Sequence, residues 1–297
     1  MARIRYPKLV RCRSLSSPYT RLPSRYSYKL KPKVVLMRAE IGIIGGTGIY
    51  DSELLDRARD VRMGTPYGPP SDAIAVGEME GIRVAFLSRH SRRHTIRPTD
   101  VNFRANVFAL KKLGIQRILA PATVGSLSEE FKPGDIVFVD QFIDRTTKRE
   151  QSFYTRKQVC HISVAEPMCP GLRRVLIEAA SDAEIKAHDT GTYVCIEGPR
   201  FSTRAESKMF KTWGANVVGM TLVPECVLAR EAEMCYASIA TITDYDVWKE
   251  KPVSVEEVKR TMKENVEKVK KIIVGAIPKI PEERGCECRS ALQSALI

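Results

Sequence analysis

No run of apolar residues in this 297-residue chain approaches the roughly 20 needed to cross a bilayer as a helix. That predicts a protein with no membrane contact, working in the cytoplasm. Repeats and long linkers are also missing between residues 41 and 280, so that stretch reads as one domain. Acids are nearly absent from the first forty residues, which hold eleven Lys and Arg against Glu40 alone. The net charge of +13 therefore sits mainly in that segment. The remaining 37 basic and 34 acidic residues almost cancel, which argues against a nucleic-acid-binding surface on the body. The eight cysteines include no CxxC pair and no Cys–His spacing that suggests zinc, so no metal site is expected. Histidine is scarce: His90, His94, His161 and His188 are all there is.

The most informative stretch that is present is IGIIGGTGIYD, residues 41–51. Its apolar part reads as a buried strand, and its glycines end the strand in a turn whose backbone can approach a ligand. Thr47 adds a hydroxyl beside the N–H groups of the turn, as an anion such as phosphate requires. A dinucleotide site or a plain tight turn fits the same residues. Strand-like stretches at 41–45, 73–77, 82–87, 115–120, 135–140, 190–196, 216–220 and 236–243 alternate with helix-like ones at 99–113, 168–182, 203–213, 223–234 and 254–275. The last helix is marked by the capping pair Ser254 and Glu257 and by Val255, Val258, Met262, Val266, Val269 and Ile273 at spacings of three and four. Thr203 and Glu206 form a second capping pair. Such alternation specifies an α/β fold.

Two flanking segments stand apart. Residues 1–40 form a Pro-, Ser- and Arg-rich extension, read either as a transit-like leader lacking the usual amphipathic helix or as an appendage upstream of a start at Met37. Residues 281–297 form a tail with Cys286-Glu287-Cys288, which holds either two thiols or a disulfide of the kind that intracellular hyperthermophile proteins use.

Two histidines fall in LSRHSRRHT, residues 87–95, directly after a strand. Arg89, His90, Arg92, Arg93 and His94 make a cationic loop at the carboxyl edge of that strand, where α/β folds bind ligands. Arginine suits bidentate capture of phosphate. His90 and His94 have a metal-ligand spacing, but an Arg-rich loop repels a cation, which leaves anion binding or a solvated basic loop. Three further clusters end strands: PATVGSL (121–127) with Ala122 and Thr123, GMTLVPE (219–225) with Met220 and Thr221, and TDYDVW (243–248) with Asp244 and Asp246. Two acids at i and i+2 serve either as turn caps or as carboxyls held near an apolar core, their pKa raised so that they can deliver a proton.

Taken in order along residues 41–280, these clusters, with TPYGPPSD, VNFRANVFALK, VCHISVAEPMCP, IEGPRFSTRAES and CYASIATITDYDVWKE, resemble the 5′-methylthioadenosine phosphorylase family. That family belongs to the trimeric branch of the purine nucleoside phosphorylases, and the CxC tail is similar to that of archaeal members. The resemblance implies the single-domain nucleoside phosphorylase fold, a central mixed β-sheet or partial barrel flanked by helices. It also implies a pentosyl transfer: phosphate attacks the anomeric carbon of methylthioadenosine and releases adenine and 5-methylthioribose 1-phosphate, a step of purine and methionine salvage. It calls for no cofactor and no metal, with inorganic phosphate as co-substrate and no nucleic-acid partner.

By position, the resemblance assigns the phosphate site to Thr47, Arg89, His90, Ala122, Thr123 and Thr221. Met220 faces the ribose, and Phe201 stacks on the purine as a lid. Asp244 shares a proton with purine N7 and accepts from the 6-amino group, with Asp246 in support. His94 contacts substrate. Val255 and Val258 meet the 5′ group, with His161 reaching in from a neighbouring subunit, which requires a homotrimer, alone or paired into a hexamer. Two departures stand out: Ala122-Thr123 where relatives carry a hydroxyl followed by Ala, and Lys259 where some relatives have an apolar residue. Asp244 argues against a 6-oxopurine phosphorylase acting on methylthioinosine, inosine or guanosine, whose relatives carry Asn there. A nicotinamide-dependent enzyme lacks the full GxGxxG. A nucleic-acid module rests on residues 1–40 alone.

Overall fold

Residues Ile41–Gly45 form β1, buried along its whole length because parallel neighbours flank it on both sides: β4 (Ile82–Ser88) and β5 (Arg117–Ser126). The computed structural model describes residues 39–46, 54–155, 158–249 and 255–297, without the side chains of 255–258. Nearly all of the expected extension, with Thr47, Ser254 and the side chains of Glu257, Val255 and Val258, lies outside the described residues. The body from Arg38 to Ile297 is one unit.

Among the described residues eleven strands join in one mixed sheet. β2 (Asp56–Val61) and β3 (Ile74–Met79) extend it beyond β4, all antiparallel. On the other side come β10 (Val217–Gly219), β9 (Thr192–Ile196) and β7 (Gln141–Arg145). β11 (Cys235–Asp244) runs parallel to β5 over nearly its full length and carries β6 (Ile136–Phe138), which pairs with β8 (Ala187–His188).

The topology opens a gap beside β5. β1 pairs with it only as far as Leu119, and antiparallel β10 takes over only at Gly125. The edge between them faces a crevice at the carboxyl end of parallel strands, where open α/β sheets bind ligands.

Among the described residues five α-helices accompany the sheet: α1 (Phe103–Lys112), α2 (Pro170–Asp182), α3 (Arg204–Thr212), α4 (Leu222–Glu231) and α5 (Val255–Ala276). α2 and α5 pack over β11, and Leu176, Val269 and Ile272 of these helices are fully buried with Ile239 and Phe138. Thr203 and Glu206 cap α3 reciprocally, as their spacing predicts.

Several elements depart from expectation. β2, whose sequence is DRARDV, is mostly exposed and charged, so it carries no apolar alternation; its partner β3 makes it a strand. The expected helix at 99–113 begins only at Phe103, where the Asn102 side chain caps it, after a separate 3-10 turn at Pro98–Asp100. α4 is interrupted at Val223, which is extended at φ −105° and ψ 131°. β5 runs six residues past its expected end because β11 pairs with it throughout.

The tail is not a loose end. Ala295, Leu296 and Ile297 pair antiparallel with Val159, Cys160 and His161. Of the two readings of the CxC, thiols or a disulfide, the structure has the thiols: the seven cysteines among the described residues are all free.

Candidate active site

The crevice beside β5 is a cavity of about 360 Å³. Arg89, His90, His94, Ala122, Thr123, Phe201, Met220, Thr221, Asp244 and Asp246 all line it, from segments spread over more than 150 residues of chain. β5 is the ruler: Arg89 bonds at Pro121, whereas Asp244 pairs opposite Gly125. Four residues at about 3.3 Å each set these two ends about 13 Å apart.

At the Pro121 end the sequence offers a basic loop, but the structure shows an arginine already engaged. Arg89 is 2% exposed. Its Nε and one Nη2 hydrogen donate to the two oxygens of Glu225, both at 2.8 Å, and the other Nη2 hydrogen to Ile44 O. Nη1 donates to Pro121 O at 3.2 Å. Glu225 also accepts from the Tyr236 hydroxyl. Burial alone would disfavour the Arg89 charge, but Glu225 outweighs it, so the guanidinium stays ionised while its charge is matched inside the protein. One Nη1 hydrogen is left for the cavity.

His90 is likewise buried. Its Nδ1 donates to Ile96 O at 2.9 Å, since a carbonyl only accepts, and this fixes the tautomer with Nε2 bare. Burial, helped by the Arg89 charge, depresses its pKa to about 4. Gly46 adds open backbone to this end, for a Cβ there would meet nothing among the described residues within 4 Å. Thr123 is exposed and Ala122 half-buried, and both border the cavity. Thr221 N–H donates to the Tyr193 hydroxyl, whose position leaves no room for a Cβ at Gly219.

At the Gly125 end a β-bulge does the positioning. The β11 register jumps so that Ile242 faces Val124 and Asp244 faces Gly125, leaving Thr243 between them. A bulge re-aims the side chains after it. Asp244 Oδ2 accepts from the Thr243 hydroxyl and Oδ1 from the Asp246 N–H, both at 2.8 Å. Asp246 sits in the left-handed region at φ 49°, a conformation that costs a non-glycine residue about 1 kcal/mol and collects at functional sites. Burial raises its pKa. Ser202 and Ser207 hydroxyls are near enough to oppose that rise, yet neither they nor Asp246 Oδ2 complete a hydrogen bond of ordinary geometry. Of these residues, Ser202 and Asp246 line the cavity and Ser207 does not. Phe201, next to Ser202 in sequence, also lines the cavity and is 46% exposed.

The remaining wall is apolar. Met262, Val266 and Val269 of α5 face the cavity, members of the stripe expected to pack the last helix. Lys259 is exposed and lies off the cavity. His161 is also exposed and off it, its N–H donating to Ala295 O. Sequence reasoning missed Glu225, Ser202 and Arg149. Arg149 donates to Val223 O and to Glu197 O, tying together the loops that carry Thr221 and Phe201. Glu225 and Ser202 stood in motifs already noted, MTLVPE and the segment around Phe201, but nothing local marks their partners.

Residues 40–278 match the model of the phosphorylase superfamily. The chain is 54% identical over 260 residues to S-methyl-5′-thioadenosine phosphorylase of Thermofilum pendens, covering 88% of this chain and 99% of that one. Its fold superposes on a methylthioadenosine phosphorylase from an antarctic soil metagenomic library with a TM-score of 0.84 at 43% identity, covering 88% and 93% of the two chains. A methylthioadenosine phosphorylase from Schistosoma mansoni, solved with adenine, gives a TM-score of 0.82 at 40% identity, covering 86% and 97%.

Proposed function

This chain belongs to the S-methyl-5′-thioadenosine phosphorylase family of the phosphorylase superfamily, and we propose that it cleaves methylthioadenosine with inorganic phosphate, giving adenine and 5-methylthioribose 1-phosphate. The observation that carries this reading is the bulge in β11, which puts two buried carboxyls about 13 Å along β5 from the Arg89–His90 end of one cavity. A nucleoside with phosphate behind its sugar has that reach.

A phosphate oxygen forms its bond to the anomeric carbon as the bond from that carbon to purine N9 breaks, through a ribosyl centre of cationic character. The electron pair of the broken bond passes into the purine, and N7 takes a proton from the Asp244–Asp246 pair, so adenine leaves neutral. Phosphate is held by the Arg89 Nη1–H, Thr123, Thr221 and backbone at Gly46 and Ala122, with Thr47 as a further donor, while the bare Nε2 of His90 accepts the O–H of hydrogen phosphate. Met220 faces the sugar, Phe201 covers the base, and Met262, Val266 and Val269, with Val255 and Val258, receive the methylthio group. His94 contacts substrate. Phosphate is the co-substrate, and no cofactor takes part.

The working unit is a homotrimer, alone or paired. What supports it is the apolar exposure of Val159, Leu296 and Ile297 around His161, which lies off the cavity of its own chain.

The test is purine release from methylthioadenosine, adenosine, methylthioinosine and inosine, with and without phosphate. Phosphate-dependent adenine release fastest from methylthioadenosine is expected. Preference for the 6-oxopurines overturns the role of Asp244, and phosphate-independent release overturns the reaction.

A further inference from the structure

Away from the cavity, the fold gathers groups that the sequence scatters. Cys169, Cys235, Cys286 and Cys288 hold their four sulfurs within 4.8 Å of one another. Cys169 is the N-cap residue of α2, Cys235 opens β11, and the other two are the CxC of the tail. Cys169, Cys235 and Cys288 are buried and Cys286 is half-buried. None is bonded to another, the sulfurs of Cys235 and Cys286 being 3.4 Å apart.

We propose that these four cysteines are a tetrathiolate site for a divalent cation of the zinc class. Zinc–sulfur bonds of about 2.3 Å place the corners of a tetrahedron about 3.8 Å apart. No two of the sulfurs are more than 4.8 Å apart, and Cys235 and Cys286 are at 3.4 Å, so drawing the widest pair onto the ion takes a shift of about 1 Å.

The surroundings favour anionic sulfur. Arg230 Nη1 donates to Cys288 Sγ at 3.6 Å. Cys169 stands at the positive end of α2, whose first-turn backbone N–H groups favour a thiolate there. Four thiolates around a divalent cation carry a net charge of −2, which Arg230 and the helix terminus offset. A pair of disulfides is neutral and gains little from either.

Binding is a proton exchange without redox change. Four metal–sulfur bonds form, and each cysteine that enters as a thiol releases one proton to solvent. The ion would staple the tail to α2 and β11, and the same tail goes on to pair with Val159–His161. That staple braces the segment proposed to reach a neighbouring subunit, but the site itself stands independently of the substrate.

The experiment is metal analysis of the full chain purified anaerobically with reductant, followed by Co2+ loading of the stripped protein. We expect one equivalent of zinc per chain, and with Co2+ the visible bands of a tetrahedral site with thiolate charge transfer. Arg230→Ala should weaken binding about 10- to 100-fold. Cys286→Ser combined with Cys288→Ser should abolish stoichiometric binding, while Cys160→Ser, outside the cluster, keeps it. In the unsubstituted chain, zinc should shield four thiols from a thiol reagent until a chelator is added. Substoichiometric metal overturns the proposal, whether the four cysteines then react as open thiols or are found as two disulfides.

Discussion

Replacing Gly125 with alanine tests how finely Asp244 is held. A Cβ at that position would lie 3.0 Å from Asp244 Oδ1, 3.3 Å from Asp246 Cβ and 3.4 Å from Asp246 N. Ordinary contact begins at about 3.5 Å, so the carboxyl must retreat by about 0.5 Å. The backbone cannot absorb the shift, because β11 is paired with β5 up to the bulge. A displacement of 1 Å in a reacting group costs about 100-fold in rate, so half of that predicts a loss of about tenfold in kcat, or about 1.4 kcal/mol of barrier. Overpacking should also lower stability by about 1–3 kcal/mol. Gly46→Ala is the matched control, because its Cβ meets nothing among the described residues within 4 Å. It should leave the melting temperature alone and raise KM for phosphate, since the added methyl occupies cavity space. Steady-state adenine release with each substrate varied in turn, beside thermal unfolding, separates the two. Wild-type kcat in a folded Gly125→Ala protein would refute the reasoning, as would a phosphate effect in that variant alone.

Asp244→Asn should cut turnover of adenine nucleosides by about 10²- to 10⁴-fold while sparing or improving 6-oxopurine nucleosides, read as the ratio of kcat/KM between adenosine and inosine; an unchanged ratio removes the proton-sharing role. Arg89→Met leaves Glu225 buried and unpaired, so it should cost about 3–5 kcal/mol of stability by denaturant unfolding, and adding Glu225→Gln should restore most of that without restoring phosphate affinity. His90, at about 4 when folded against 6.5 unfolded, is the depressed case for a base: its contribution is full above pH 6.5 and is lost as pH falls toward 4, because the unfolded chain then binds the proton the fold refuses. A shift of that size is worth about 3 kcal/mol, so His90→Asn should flatten the stability–pH curve between 4 and 6.5 in phosphate-free buffer, and an unchanged slope would show that the ring is not held neutral.

Much of the site was legible because strand ends carry it. Each of the clusters at 87–95, 121–127, 219–225 and 243–248 follows or ends a strand of apolar residues; parallel β4, β5 and β11 deliver their carboxyl ends to one edge, and β10, antiparallel to β5, brings the cluster at 219–225 to it from the opposite direction. What was not legible depends on pairing across the chain. Arg89 reads as an open cation until Glu225, 136 positions away, is folded against it. The Thr243 bulge is invisible in TITDYD because it is a property of the β5–β11 register. β2 is a strand only because β3 is next to it, and CxC becomes four sulfurs only when α2 and β11 bring Cys169 and Cys235 to it.

The charge arrangement carries the last consequence. Of the cationic groups expected to hold phosphate, Arg89 is matched by Glu225 and His90 is neutral above about pH 4. In the proposed reaction, phosphate therefore meets directed N–H and O–H groups rather than a pool of positive charge. Two unit charges 4 Å apart attract by about 4 kcal/mol at an effective dielectric of 20, and that attraction between phosphate and a ribosyl cation exists only as the glycosidic bond opens. Interactions realised only there accelerate the step, whereas neutralising phosphate in the ground state would spend them on binding. Glu225→Gln releases the Arg89 charge toward the cavity. KM for phosphate should fall while kcat falls with it, and the melting temperature should become strongly phosphate-dependent, since the unpaired guanidinium gains a partner only when the anion binds. If kcat instead holds or rises as phosphate binds more tightly, the ion pair serves stability alone and the nucleophile does not depend on being left under-neutralised.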